Sequence, residues 1–500
     1  MSKYNWQRAA GVLMPISSLP SPYGIGTLGK KAYEFADWLK KAGQTYWQVL
    51  PVGPTGLGDS PYQSFSAFAG NPYFIDLDIL IEEGLLTKAD VDGVTWGISD
   101  DQTDYGLVYS GRFDVLKKAY SKSHHRSNVR YHEFISRQKF WIEEYALYMA
   151  LKAHFDNSSW LEWDEDIRFR EKDALNRYRN ELREETDFWK FCQFKFYEQW
   201  EKLKTYVNNL GIKIIGDIPL YMSLDSADVW AYNDLFQMDD ERRPLCVAGV
   251  PPDCFSADGQ LWGNPIYDWD VMEKENFNWW RKRIEGCAAL YDIIRIDHFI
   301  GIVRYYSIPA GMKDAKIGDW REGPGEKLTG LIEEASGGAG IIAEDLGVIV
   351  PEVRALIDKM EWPGMKILEF AFEENPANEY LPHNFKNSNC VLYGGTHDND
   401  TIRGYVDKVP SWQLRHIYDY LGVDNIHAVH KAMIKCGYAS IAATAIYQMQ
   451  DILGLGGDAR MNEPSTVGHN WKWRLKAEEL KDSDAVWLMR QTQIYGRLTY

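Results

Sequence analysis

Three absences narrow the field before any motif is read. No apolar run approaches the ~18 residues of a membrane-spanning helix, so no span is expected. The six cysteines, at 192, 246, 254, 287, 390 and 436, form no C-x-x-C pair, so zinc and thioredoxin-type motifs are lacking. Sparse, unpatterned cysteine suits a reducing compartment, and a cytoplasmic location is expected. Positive charge is also short. Fifty-five Lys and Arg against 72 Asp and Glu leave a net charge of −17, which argues against a nucleic-acid or anionic-membrane partner. There is no short repeat, low-complexity tract or Pro/Ser linker. The apolar stretch from Ala9 to Met14 is too short for a signal peptide and meets Pro15 at once, so it reads as a strand. What the 500 residues do have is aromatics, including 20 Trp and 30 Tyr. These fit a large core, or a surface that stacks flat ligand faces, and the charge disfavours bases over sugars.

Helical spacing alternates with short apolar runs. Ala32, Phe35, Ala36 and Leu39 recur at i, i+3, i+4, i+7, Gly43 closes the helix, and a strand follows at Trp47-Gln48-Val49-Leu50. Trp280, Ile284 and Ala288 repeat the pattern before Ile293-Ile294-Arg295-Ile296-Asp297. Eight candidate strands emerge, near 10–14, 46–51, 213–217, 292–297, 340–345, 365–370, 390–396 and 440–446. Eight strands alternating with helices predict a single (β/α)8 barrel over 1–500, with a doubly wound open sheet as the alternative. The second and third strands lie about 160 residues apart, more than one crossover helix needs, so 53–190 is read as an inserted subdomain. Residues 218–275 are read as an inserted loop region overhanging the active site. Only about 50 residues follow the last strand, which leaves no room for a separate C-terminal β domain.

The strand ends carry carboxylates: Asp217, Asp297, Glu344-Asp345, Asp398 with Asp400, and Asp451. Acidic residues are depleted in strands and costly when buried unpaired. Any one could cap the following helix, but several on one rim point to chemistry at the face where barrel enzymes build their sites. Two or three carboxylates suit glycosyl transfer, in which one acid protonates the leaving oxygen and a carboxylate attacks. A metal-dependent isomerase and a non-catalytic protein that stacks sugars on its aromatics remain alternatives at this point. Gly454-Leu455-Gly456-Gly457-Asp458-Ala459 fits a dinucleotide loop by letter, but no helix start follows it.

Seven ordered segments resemble the amylomaltase or disproportionating-enzyme family, the 4-alpha-glucanotransferases of glycoside hydrolase family 77. They are Asp59-Ser60-Pro61-Tyr62-Gln63, Gly216-Asp217-Ile218-Pro219, Gly249-Val250-Pro251-Pro252-Asp253, Gly259-Gln260-Leu261-Trp262-Gly263-Asn264-Pro265, Arg295-Ile296-Asp297-His298-Phe299, Ala343-Glu344-Asp345-Leu346-Gly347 and Gly395-Thr396-His397-Asp398-Asn399-Asp400-Thr401. The resemblance runs nearly end to end, to Trp471-x-Trp473. It implies a retaining double displacement on α-1,4-glucans without metal or cofactor. Asp297 would be the nucleophile, Glu344 the general acid/base, and Asp398 a holder of sugar hydroxyls that favours the distorted ring. Tyr62, Asp217, Trp262, Arg295, His298 and His397 would contact or support the substrate. Arg295 lies two residues before Asp297, so strand alternation sets both on one face, where its charge would favour ionised Asp297. The implied partners are maltodextrin, starch- or glycogen-derived α-glucans and glucose, with neither nucleic acid nor membrane. Monomer and dimer both stay open.

Overall fold

In the computed structural model, which describes residues 4–56, 58–252, 256–347 and 349–499, the two faces of eight short strands fall into two separate apolar clusters. Asp253 and Cys254 lie outside the described residues. The strands are β1 (Ala9–Leu13), β2 (Tyr46–Gln48), β3 (Lys213–Ile218), β4 (Cys246–Val250), β5 (Gln260–Pro265), β6 (Ile293–Ile296), β7 (Arg304–Pro309), β8 (Asp319–Glu322), β9 (Gly340–Ala343), β10 (Gly364–Ile367), β11 (Cys390–Tyr393) and β12 (Thr444–Gln448). Eight of them form one parallel sheet in the order β10-β11-β12-β1-β2-β3-β6-β9. The sheet closes where the Ala343 N–H donates to the Pro363 carbonyl at 3.0 Å. This is a (β/α)8 barrel, and its eight strands are the eight expected from the sequence. The last starts at Thr444 rather than 440, and the seventh ends at Tyr393 rather than 396.

Side chains alternate across each strand, so one set fills the barrel and the other meets the helices. Leu13, Tyr46, Ile215, Ile293, Ile342, Met365, Val391 and Ile446 form the inner cluster. Val12, Trp47, Ile214, Ile294, Ile341, Leu392 and Ala445 belong to the outer one, beside Phe35 and Leu39 of the helix Lys30–Lys41. Trp47 and Trp280 are fully buried, as packing residues should be. Trp47 also donates its indole N–H to the Met14 carbonyl at 2.8 Å.

Between β2 and β3 the chain builds mostly helix, including Tyr105–Lys122, Ile142–His154 and Arg183–Asn209. The last of these grips the segment that follows Tyr62. The Gln193 amide bonds both the N–H and the C=O of Gly70, each at 2.8 Å. Gln199 does the same at Asp76, at 2.7 and 3.2 Å. Each buried glutamine thus satisfies both backbone groups of a segment with no strand partner.

Residues 218–275 are not only loop. They contain β4 and β5, which join β7 and β8 from beyond β6 in an antiparallel sheet ordered β5-β4-β7-β8. Trp262 therefore stands on a strand, β5, rather than in a loop. The strand signal is weak because its runs are short and interrupted by glycine and proline. Beyond β12 the described residues form no strand, and helix Asp482–Ile494 packs near the barrel's first helix. Among the described residues no helix is long and apolar enough to cross a membrane.

Candidate active site

The inward phase of the strands continues past their last hydrogen bonds. Ile215 is followed two residues later by Asp217, Ile293 by Arg295 and then Asp297, and Ile342 by Glu344. All four polar side chains therefore emerge inside the C-terminal rim of the barrel.

Arg295 and Asp217 lie at the base of the site, 2 % and 0 % exposed. One guanidinium nitrogen, Nη1, donates to both Asp217 oxygens at 2.7 Å and to Asp297 Oδ1 at 2.9 Å. Burial alone would push Arg295 toward losing its proton, but Asp217 and Asp297 outweigh it and hold the group charged. Burial raises the Asp217 carboxyl, and Arg295 opposes that rise. A cation is thereby fixed beside Asp297, whose side chain is 27 % open to the cleft.

Glu344 has a different environment. Each of its oxygens accepts one backbone N–H, Oε1 from Leu346 and Oε2 from His298, both at 2.7 Å. Burial pushes this carboxyl up, Asp297 adds to the rise, and Arg295 opposes it, so that it titrates at about 8. His298, the donor of one of these bonds, has a left-handed backbone, φ 54°, uncommon for a residue with a side chain.

A hydrogen-bonded chain forms the opposite wall. The Tyr62 hydroxyl donates to Asp217 Oδ2 at 2.9 Å and lies 3.0 Å from His397 Nδ1. A hydroxyl has one proton to give, so with that proton on Asp217 the Nδ1 must be the donor to Tyr62. His397 Nε2 meets Asp398 Oδ2 at 3.2 Å, where it is again the donor. With both carboxylates ionised, this pattern places a proton on each ring nitrogen of His397. Burial lowers the His397 pKa, but Asp398 and Asp217 together carry it above its ordinary value. Asp398 responds in the opposite sense. Burial raises it, but the His397 charge and the Asn462 amide hold it at about 2. Asn462 Nδ2 donates to Asp398 Oδ1 and Arg460 Nη2 to the Asp398 carbonyl, both at 2.7 Å. The Asp398 side chain is still 47 % open to the cleft.

Aromatic rings line the site. Tyr62 stacks on His397 at 4.6 Å, with Trp471 tilted against both. Trp262 stands edge-on to His298 at 4.7 Å, and Tyr221 packs behind them. His298 Nε2 is buried with no hydrogen-bond partner among the described residues.

The other rim carboxylates face elsewhere. Asp345 accepts the Met365 N–H, tying β9 to β10. Asp400 bonds Lys408, and Asp451 accepts the Ile402 N–H at the start of a helix. These three fasten the backbone. Among the described residues no group of three or more His, Cys, Asp or Glu could hold a metal ion. Sequence reasoning missed Asn462, Arg460 and Tyr221 as site residues, and Glu369 as another buried carboxylate following a barrel strand.

A family model described as 4-alpha-glucanotransferase matches residues 14–480. The chain belongs to the 4-alpha-glucanotransferase family. Among relatives, the Clostridium butyricum 4-alpha-glucanotransferase is 48% identical over 486 residues, covering 97% of this chain and 100% of that protein. The Thermus thermophilus 4-alpha-glucanotransferase is 44% identical over 501 residues, covering 98% and 99%. Among solved structures, the amylomaltase from Streptococcus agalactiae in complex with acarbose superposes with a TM-score of 0.95 at 42% identity, covering 98% of this chain and 100% of that one. Membership makes the chain an enzyme that transfers segments of α-1,4-glucan, the reaction the sequence resemblance implied.

Proposed function

We propose that the enzyme moves maltodextrin segments by a double displacement in which Asp297 is the nucleophile and Glu344 the acid/base. The proton on Glu344 passes to the glycosidic oxygen as Asp297 attacks the anomeric carbon. The shortened donor leaves with its new 4-OH, and the remaining segment is esterified to Asp297. An acceptor 4-OH then gives its proton to Glu344 and attacks that carbon, freeing Asp297. Two inversions restore the α configuration.

The observation that carries this reading is the contrast between two neighbouring carboxylates. Glu344 titrates at about 8, whereas Asp297 lies 2.9 Å from a buried guanidinium. Environments that separate acid from nucleophile are what this chemistry requires. Asp398, held down at about 2 and partly open, is suited to accept hydrogen bonds from sugar hydroxyls. His298, with its unpartnered Nε2, offers a donor, and His397 holds Asp398 from behind. Tyr62 and Trp262 offer aromatic surface, with Arg295 and Asp217 as the charged base beneath. The β4–β5 hairpin and the helices between β2 and β3 would wall the groove, limit water and favour a sugar acceptor.

Donors would be maltodextrins released from starch or glycogen, and acceptors would include glucose. A cytoplasmic location accords with unpaired Cys192, Cys246, Cys287, Cys390 and Cys436. Incubated with maltotriose and no added cofactor, the enzyme should yield glucose and a ladder of longer maltodextrins. Glucose and maltose alone, with reducing ends rising in step, would mean hydrolysis instead.

A further inference from the structure

We infer that the backbone of His298, apart from its imidazole, is a positioning device for the acid/base: its left-handed conformation lets the chain turn away directly after Asp297 while the peptide N–H stays on Glu344 Oε2, and so sets how readily Glu344 gives up its proton. The inference rests on the reading of Glu344 as acid/base.

Three observations support it. First, the chain leaves β6 in register, the Asp297 N–H still donating to the Ile218 carbonyl at 2.9 Å. At the next residue φ becomes 54°, and the His298 N–H meets Glu344 Oε2 at 2.7 Å. Second, the turn continues at once, with the His298 carbonyl accepting the Gly301 N–H at 3.0 Å, so the conformation is fixed on both sides. Third, the imidazole itself makes no bond to Glu344. Its ring meets Trp262 edge-on and lies near Tyr221. Side chain and backbone thus do separate things at one position. A residue with a Cβ is uncommon at such a φ, and strain of this kind persists where the surrounding structure enforces it.

The physical consequence has a definite sign. An N–H donated to a carboxylate favours its charged form, so losing that bond raises the pKa. The charged and titratable groups facing Glu344 are Asp297 and Arg295 from the β6 side and Tyr380 from beyond β10. Asp297 raises Glu344 and Arg295 lowers it. The His298 and Leu346 N–H groups are the two donors that also oppose the rise.

The test uses three variants that all lack the imidazole. Glycine and asparagine accept a positive φ, whereas a β-branched residue at that φ is a genuine outlier. Asparagine and valine are close in size, which controls for bulk beside Glu344. The readout is the alkaline limb of kcat/KM against pH, with a maltodextrin donor. H298G and H298N should share one limb, and that of H298V should lie about one pH unit higher, the worth of one hydrogen bond to a charged group. Three coincident limbs overturn the inference, as does a limb that follows side-chain size, with H298N beside H298V. Should H298V fail to fold, H298A against H298G carries the comparison: a higher limb for H298A supports the inference and a coincident one overturns it. E344Q tests the underlying reading separately. Wild-type activity in E344Q would sink the acid/base assignment, whereas unmoved limbs with inactive E344Q would sink only the role of His298.

Discussion

Asp217→Asn removes one charge from the base of the site and leaves the volume unchanged. Arg295 is 2 % exposed and divides its Nη1 donor between Asp217 and Asp297. With the residue at 217 neutral, a buried guanidinium keeps only Asp297, which is itself 27 % exposed. Breaking one partner out of a buried pair costs about 3–5 kcal/mol, because the remaining charge stays in a poor solvent. At about 2 cal/mol/K of unfolding entropy per residue, a chain of 500 residues loses roughly 1 °C of Tm per kcal/mol. Calorimetry should therefore place D217N about 3–5 °C below the parent. The introduced amide also disturbs the Tyr62 chain. If its nitrogen takes the place of Oδ2, the Tyr62 hydroxyl must donate to His397 Nδ1 instead, which requires neutral His397 and weakens its hold on Asp398. Transfer activity should fall with stability. The paired variant D217L/R295M removes both charges, and replacing a buried ion pair with apolar groups is often neutral or stabilising. It should melt within about 2 °C of the parent while remaining inactive on maltotriose. A D217N protein that melts with the parent, or a double variant as unstable as D217N, would refute the reasoning.

Two further outcomes follow from the same site. Glu344 titrates at about 8 in the fold against about 4.5 in an unfolded chain, so the folded state binds the extra proton and loses stability as pH rises between those values. E344Q should accordingly match the parent's Tm at pH 4, exceed it by a few degrees at pH 9, and lack transfer activity; equal melting at both pH values would contradict a buried, neutral acid. N462A removes the 2.7 Å donor to Asp398 Oδ1 from a partly exposed position. Steady-state kinetics should show about a tenfold loss in kcat/KM, one charged hydrogen bond in the transition state, with Tm within about 1 °C; undiminished kcat/KM would free Asn462 of that role.

Much of the barrel can be read from local pattern because each of its strands is an apolar run bounded by helical spacing. The antiparallel sheet cannot. β8 is exposed along its whole length, and β4 and β5 are broken by Gly249, Gly263 and Pro265, so no alternation survives. Local pattern consequently puts Trp262 in a loop. Its neighbours Tyr221 and His298 lie 41 and 36 residues away, and that meeting depends on four strands pairing across β6.

The rim carboxylates show where local pattern ends and tertiary structure begins. Alternation brings Asp217, Asp297 and Glu344 inward because each stays in phase with Ile215, Ile293 and Ile342. Asp398 breaks that rule. Continued from Tyr393, the inward phase passes through Gly395 and His397, and would send Asp398 outward. The strand has already ended, however. The Asn399 side chain accepts from the Thr396 N–H at 2.9 Å and its hydroxyl at 3.0 Å, and this turn re-aims the two residues between them. His397 keeps its place under Tyr62, while Asp398 swings to Asn462 and the cleft. Asp400, one step further, is taken up by Lys408 instead. Two acids separated by one residue thus receive opposite fates from a single side-chain-capped turn. Composition and spacing do not distinguish them, since both follow the same apolar strand. Gln448 anchors that turn from the neighbouring strand β12, its amide holding the carbonyls of Thr396 and Asp400 at 3.0 and 3.2 Å. The aim of Asp398 is therefore a property of the closed barrel, since the turn that carries it is braced by a residue 50 positions downstream.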